Sequence, residues 1–380
     1  MKRRITLSIA LALSVALLSA AAVAQAPSCF PVPAPGCLYL PPNPLPFQTT
    51  THQKTYNDVA GLQRTIEFAI RRPVGLPGPL PVVIWSHGGN DGKSNPLSVG
   101  VEWSERLVGR GYIVVSIAHE PRSRNQQDRL CDKLGYSDAP TCARFNYLNW
   151  DRPHDISAVI DRLDWLNTRS SGEFLNKFDL TQLAVAGHSA GTGGVMSLAG
   201  AIRDFATVPA FTPFAPVDQR PKVFMAFSPQ QPGLEGFYDT DFKKPNHSWE
   251  SITRPVLMVT GDGDNLCLAN LPGIPFTPGD CRGQMPFGRR IPFERMPAGN
   301  KYRLYFHDAD IFHGLFDLNV SKCPQKNVDP AKCTEFERDL SAIAFAFLDS
   351  HLKGIPFATA WLNSNNIELA TLGIAEYSRK

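Results

Sequence analysis

A serine set between glycines at the end of an apolar run is the residue of this chain best suited to nucleophilic chemistry. Leu183-Ala184-Val185-Ala186 leads into Gly187-His188-Ser189-Ala190-Gly191, and a stretch rich in small residues follows. A strand that feeds a Gly-x-Ser-x-Gly corner and a helix start holds the serine in a strained turn. The flanking glycines let neighbouring elements approach without a Cβ clash. The pentapeptide alone is a weak signal, and its weight comes from its place between a buried strand and a helix. The plain alternative is a tight strand–helix turn with no chemistry.

A nucleophilic serine needs a base, and the base needs an acid to orient it. After such a corner the acid and then the base follow in chain order, on later strand ends. The run Pro255–Thr260 ends in Gly261-Asp262-Gly263-Asp264-Asn265, and Arg303–Phe306 leads to Asp308-Ala309-Asp310-Ile311-Phe312-His313-Gly314. His313 is therefore expected as the base and Asp264 as the acid. Asp262 follows the strand directly, where its side chain is expected to cap turn amides. Asp264, two residues on, is free to reach the histidine. The rival use of this acidic run, a calcium loop, lacks the remaining ligands of an EF-hand pattern.

Acyl chemistry on a serine also needs two backbone N–H donors where negative charge develops. Ala190, the residue after the nucleophile, supplies one. The other is expected from Ser86-His87-Gly88-Gly89-Asn90, after the strand Val82–Ser86, with Gly89 as donor and Asn90 beside it. His87, His119 and His188 are read as structural.

These residues need strand ends to hold them. Val82–Ser86, Tyr112–Ala118, Leu183–Ala186, Val223–Phe227, Pro255–Thr260 and Arg303–Phe306 are short, continuous and largely apolar, as strands covered on both faces are. Helical stretches alternate with them. In Asp151–Asn167, Ile156, Val159, Ile160, Leu163 and Leu166 make one stripe. Thr334-Glu335-Phe336-Glu337 has the form of a capping box, opening a helix that carries Phe336, Leu340, Ile343, Phe347 and Leu348 and ends near Gly354. The alternation predicts an α/β fold, a doubly wound and mostly parallel sheet flanked by helices.

The amino end reads as a secretory leader: Lys2, Arg3 and Arg4, then Ile5 to Ala22, then the small-x-small site Ala22-Val23-Ala24. An uncleaved membrane anchor is the alternative reading. Residues 1–24 are thus a predicted signal peptide and residues 25–64 a proline-rich arm with a first strand. Residues 65–380 are the predicted catalytic domain. The product is expected in the periplasm or outside the cell, without stable membrane insertion. A net charge of +3 with no basic block gives no reason to expect nucleic acid as a partner.

Eight cysteines follow the leader, an even count that fits disulfides in an exported chain. They fall into four close pairs, so the pairing 29–37, 131–142, 267–281 and 323–333 is favoured on locality, with other connectivities open. Zinc is disfavoured because no Cys-x-x-Cys or Cys-x-x-His spacing occurs.

Taken together, these residues resemble the α/β-hydrolase superfamily from about Thr65 to Lys353. The likeness is greatest to serine esterases of the platelet-activating-factor acetylhydrolase-like and predicted dienelactone hydrolase group. It rests on Trp85-Ser86-His87-Gly88-Gly89, Arg152-Pro153-His154-Asp155-Ile156 with Val159-Ile160-Asp161, Gly187–Gly191, and Phe227-Ser228-Pro229-Gln230. The resemblance implies an α/β-hydrolase fold and places Gln230 and Gln231 near the acyl pocket. Polyester-degrading cutinase-like enzymes share the same core. True dienelactone hydrolases carry cysteine at the corner, so their substrate does not transfer to Ser189. The segments Cys131–Cys142 and Cys267–Cys281 look like disulfide-bearing insertions in loops beside the site.

The chemistry expected is transfer of an acyl group from a small or polymeric ester to water, with no cofactor and no metal. A fold-sharing binding protein without catalysis and a small-peptide serine peptidase are the alternatives.

Overall fold

The computed structural model describes residues 25–30, 32–89, 94–135, 147–169, 171–202, 218–231, 248–265 and 286–380. The leader, Asn90, Cys142, Cys267 and Cys281 lie outside these residues.

Nine strands make one sheet: β1 (Phe47–Asn57), β2 (Gln63–Pro73), β3 (Leu80–Ser86), β4 (Ile113–Ala118), β5 (Phe178–His188), β6 (Val223–Phe227), β7 (Val256–Gly261), β8 (Lys301–Phe306) and β9 (Ala375–Arg379). Their order is β1-β2-β4-β3-β5-β6-β7-β8-β9. Strands β3 to β8 run parallel, while β1, β2 and β9 pair antiparallel at the two sides. All six strands expected from the sequence are present, and the mostly parallel α/β sheet is as predicted.

The described helices are α1 (Val101–Val108), α2 (Arg124–Leu134), α3 (Tyr147–Arg169), α4 (Ala190–Ala199), α5 (Pro286–Arg295), α6 (Pro330–His351), α7 (Pro356–Leu362) and α8 (Asn366–Ala370). The central strands are apolar on both faces, and the period of two sorts their residues between two cores. Val83, Trp85, Ala184, Ala186, Met225 and Phe227 face one layer with Trp103 and Leu107 of α1 and Leu340, Ile343 and Phe347 of α6. Val82, Ile84, Leu183, Val185, Phe224 and Ala226 face the other, with the predicted α3 stripe Ile156, Val159, Ile160, Leu163 and Leu166 and with Val195 and Met196 of α4. Helices on both faces are what doubly wound means.

Helix α6 begins a turn before the expected capping box. Asp329 caps it by accepting the Ala331 N–H at 2.9 Å, with Pro330 at the first helical position. Thr334 is inside the helix, its hydroxyl donating to the Pro330 carbonyl. The Asp-Pro pair was the stronger start signal.

In the proline-rich arm, Cys29 and Cys37 form the expected disulfide, and Cys323–Cys333 forms another. The arm docks on the C-terminal helices. The Trp361 indole donates to the Cys37 carbonyl at 2.9 Å, and the Gly36 N–H donates to Asn366 Oδ1 at 3.0 Å. Among the described residues, no helix is long and apolar enough to cross a membrane.

The chain runs from β3 outward to β4 and then crosses back to β5 on the other side of β3. This reversal opens a crevice at the carboxyl ends of β3 and β5, the usual ligand position in open α/β sheets. The Ser86–Gly89 segment and Ser189 sit there.

Candidate active site

Strand β5 ends at His188 and α4 starts at Ala190, so Ser189 alone makes the corner. Its backbone is at φ 51°, ψ −122°, a conformation few L-residues adopt. Three hydrogen bonds to its backbone keep it there. The Ser189 N–H donates to the Phe227 carbonyl of β6 at 2.9 Å. Its carbonyl accepts the Thr192 N–H at 2.9 Å and the Thr192 hydroxyl at 2.7 Å. The glycines on either side are sterically required. A Cβ on Gly187 would come within 2.8 Å of the Ser86 carbonyl oxygen, and one on Gly191 would collide with the same atom. Ala190 opens α4, so its N–H has no acceptor within the helix.

The Ser86–Gly89 segment lies against this corner. A Cβ on Gly88 would be 2.8 Å from His188 Nδ1 and 3.1 Å from the Ser189 Cβ. Gly89 follows at φ 73°, exposed, with open space where a side chain would be.

His313 and Asp264 are brought together, with His313 Nδ1 2.7 Å from Asp264 Oδ1. The carboxylate can only accept, so Nδ1 carries the proton and Nε2 is left with its lone pair. The loops after β7 and β8 cross at Gly263, where a Cβ would come within 2.6 Å of the Ile311 carbonyl. That crossing brings Asp264 under the histidine. The second carboxylate oxygen accepts the Thr260 hydroxyl at 2.7 Å.

Asp262 is half exposed and points elsewhere. It accepts the Tyr305 hydroxyl at 2.6 Å and lies 3.6 Å from His307, instead of capping turn amides as the sequence suggested. A phenol on the neighbouring strand outcompetes the local amides.

His188 joins the two halves. Its Nε2 is 3.1 Å from the His313 carbonyl, and the two rings are 4.6 Å apart between centroids. Burial, and then the charge of His313, hold the His188 pKa well below the ordinary value. A neutral ring donating from Nε2 anchors His313 beside the corner. Its other nitrogen lies 4.0 Å from Asp317, whose carboxyl burial and Glu102 push up to about 7.

Two buried arginines were not singled out as site residues. Arg289 lies 3.4 Å from Asp264 Oδ1 and donates to the carbonyls of Asp264, Ser228 and Pro229 at 3.1, 2.8 and 2.9 Å. Its Nη2 is 3.5 Å from His313 Nδ1, a contact between two donors. Arg152 donates to the carbonyls of His87 and Gly89. Arg152 stood in a motif carried by the resemblance, but no local pattern marked either guanidinium as inward.

Gln230 and Gln231 are buried close by. The Gln230 N–H donates to the Thr192 hydroxyl at 3.1 Å, and Gln231 packs on Gly288 so tightly that no Cβ would fit there. Cys131 is disulfide-bonded, but Cys142 and the 267–281 pair fall outside the described residues. Among the described residues no cluster of three or more His, Cys, Asp or Glu could hold a metal.

Searches against known proteins find cutinases. The chain is 23% identical over 203 residues to the cutinases est1 and est2 of Thermobifida alba, a match that covers 49% of this chain and 58% of each relative. The chain thus spans a little over half the length of the curated relatives it matches. No protein-family model matches it.

Proposed function

We propose that this protein is an exported serine hydrolase that cleaves carboxylic esters through an acyl-enzyme. The observation that carries the reading is Ser189 itself, held at φ 51° on a strand–helix corner with glycines pressed against both sides. Folding does not need a serine in that conformation, and strain of this kind is kept where it serves a site. The His313–Asp264 pair and the similarity to cutinases support the same reading.

In this mechanism His313 Nε2 takes the proton of Ser189 as the hydroxyl attacks the ester carbonyl. The amides of Gly89 and Ala190 stabilise the oxyanion. His313 then gives the proton to the leaving alcohol, and water activated by the same ring releases the acid. Asp264 holds the imidazole tautomer throughout. The leader-like residues 1–24 support export to the periplasm or beyond. A small or polymeric ester is the proposed substrate.

A series of p-nitrophenyl esters of increasing acyl length tests this, with fluorophosphonate labelling of Ser189 and Ser189→Ala as control. Hydrolysis and labelling by the wild type alone are expected. A Ser189→Ala protein retaining a tenth of the activity would remove the assignment.

A further inference from the structure

We infer that Arg152 is a positioning residue for the oxyanion donors, acting by pinning the carbonyls of the segment that carries Gly89. The inference rests on the reading that Ser189 is acylated. In a trans peptide the C=O of one residue and the N–H of the next point opposite ways. Fixing the 87 and 88 carbonyls therefore fixes the Gly88 and Gly89 N–H groups, and holding the 87 and 89 carbonyls fixes the peptides on either side of the one that carries the Gly89 N–H.

All three carbonyls are held. Arg152, a fully buried side chain on α3, donates Nη1 to the His87 carbonyl and Nη2 to the Gly89 carbonyl. The Gly88 carbonyl is 2.7 Å from His87 Nδ1. The tautomer of His87 follows from its other nitrogen. Nε2 faces the His119 N–H at 3.4 Å and must accept, so Nδ1–H donates to Gly88. Burial, and next the charge of Arg152, hold this ring neutral.

With the carbonyls of 87 and 88 turned toward Arg152 and the His87 ring, the Gly88 and Gly89 N–H groups turn away from them. The other side of the segment is where Gly88 meets His188 and Ser189. A planar fork with two parallel donors suits a pair of carbonyls in a way that an ammonium does not. The base of the segment is fixed as well. The Ser86 hydroxyl is 2.9 Å from His119 Nε2, and His119 Nδ1 is 2.9 Å from Asp155, which also pairs with Arg64 at 3.1 Å. This second Ser-His-Asp array is buried throughout and serves as footing for the strand end, not as a nucleophile. Arg152 is the part that reaches past it to the donor residues.

The test uses the full mature protein as wild type, Arg152→Lys and Arg152→Met. Lysine keeps the buried charge but cannot bridge both carbonyls. For Arg152→Lys, kcat on a p-nitrophenyl ester is expected to fall about 10²-fold, the loss typical of one misplaced oxyanion donor. KM should stay within about threefold, because ground-state binding is not the function of these donors. Inhibition by a trifluoromethyl ketone, which forms a tetrahedral oxyanion on the serine, should weaken by the same factor as kcat/KM. Arg152→Met should lose at least as much.

Rates are to be expressed per active site titrated with fluorophosphonate, which removes any contribution from misfolded protein. A folded Arg152→Lys with kcat per site within threefold of wild type would overturn the inference. So would ketone affinity unchanged while kcat falls, or failure of both variants to fold, since Arg152 would then be a folding element. A wild type that neither hydrolyses esters nor takes the label would instead defeat the function proposed above.

Discussion

Arg289 and Asp264 form a pair buried to zero exposure, Nε to Oδ1 3.4 Å, directly beneath His313. Burial alone would raise the Asp264 pKa. The Arg289 charge leads the opposing effects, with His313 and Thr260 adding hydrogen bonds, and the group is lowered to about 2. Asp264 thus stays ionised at neutral pH. The same guanidinium ties the β6 loop to the β7 loop through the Ser228, Pro229 and Asp264 carbonyls.

The first prediction follows from that pair. A carboxyl with a folded pKa below its unfolded value contributes stability above the unfolded pKa and loses it as pH falls through the folded one. For Asp264 the window runs from about pH 4 down to about 2, and the loss is about 2 kcal/mol. Replacing Arg289 with methionine leaves a buried carboxylate without its cation, at a cost of about 3–5 kcal/mol near neutrality. It should also flatten the pH 4 to 2 dependence, because burial is then less opposed. Urea unfolding of both proteins from pH 2 to 7 measures this. An unchanged slope in Arg289→Met would show that Arg289 does not set the Asp264 charge.

Strain at Ser189 gives the second. A non-glycine residue in such a conformation costs about 1–3 kcal/mol. Glycine adopts it freely but brings back about 0.5–1 kcal/mol of unfolded-state entropy. Ser189→Gly should therefore be more stable than wild type by about 1 kcal/mol, whereas Ser189→Ala keeps the strain and gains nothing. Both should lose about four to six orders of magnitude in kcat, as members of a unit do. Thermal unfolding of the two variants alongside wild type separates strain from chemistry. A Ser189→Gly protein less stable than Ser189→Ala would contradict the strain argument.

The central strands are legible in the sequence because β3 to β8 are short, continuous apolar runs, several of them followed within two residues by Gly, Ser or Asp. A first strand is expected within residues 25–64, but its bounds are not legible, since Phe47–Asn57 alternates between exposed and half-buried positions and buries no apolar row. A five-residue edge strand such as β9, with sequence Ala-Glu-Tyr-Ser-Arg, has too little pattern to stand out. Of the candidate site residues, Ser189, Asp264 and Gly89 stand within three residues of a strand end and His313 seven residues past β8, which is why the sequence points to them. Arg152 and Arg289 reach the site from helices far along the chain. A charged side chain on a helix ordinarily faces water, so their inward turn depends on carbonyls that tertiary structure alone brings to them.

The third prediction concerns the cysteines. Closing the eight-residue separation between Cys29 and Cys37 is worth about 2–3 kcal/mol in the chain-entropy model. Cys29→Ser with Cys37→Ser should lower stability by that amount. Activity should be unchanged, because the described contacts of the loop go to α7 and α8 and not to Ser189, His313 or Asp264. Mass mapping of non-reduced peptides should find 29–37 and 323–333, and local pairing predicts 131–142 and 267–281 beside them. A bridge from Cys131 to Cys267 or Cys281 would refute local pairing at these two loops.

The last prediction separates two aspartates that stand two residues apart. Asp264 is buried, accepts Nδ1–H of His313 at 2.7 Å and is fixed by the Thr260 hydroxyl at 2.7 Å. Asparagine there keeps the shape and loses the charge. Its amide N–H can also face Nδ1 and force the proton onto Nε2, where the base needs a lone pair. In a Ser-His-Asp triad this change costs about 10⁴ in kcat. The adjacent Arg289 should add to the loss, since its charge would then act unopposed against the imidazolium that forms during turnover. Asp262 differs in each respect. It is half exposed and takes the Tyr305 hydroxyl, a bond that asparagine can still accept through its carbonyl oxygen. Asp264→Asn should therefore nearly abolish ester turnover at neutral pH, and Asp262→Asn should stay within about tenfold of wild type. Steady-state kinetics with a melting curve for each variant decide the matter. If Asp262→Asn were the inactive one, the contact between His313 and Asp264 would be structural, and the acid of the mechanism would have to be assigned anew.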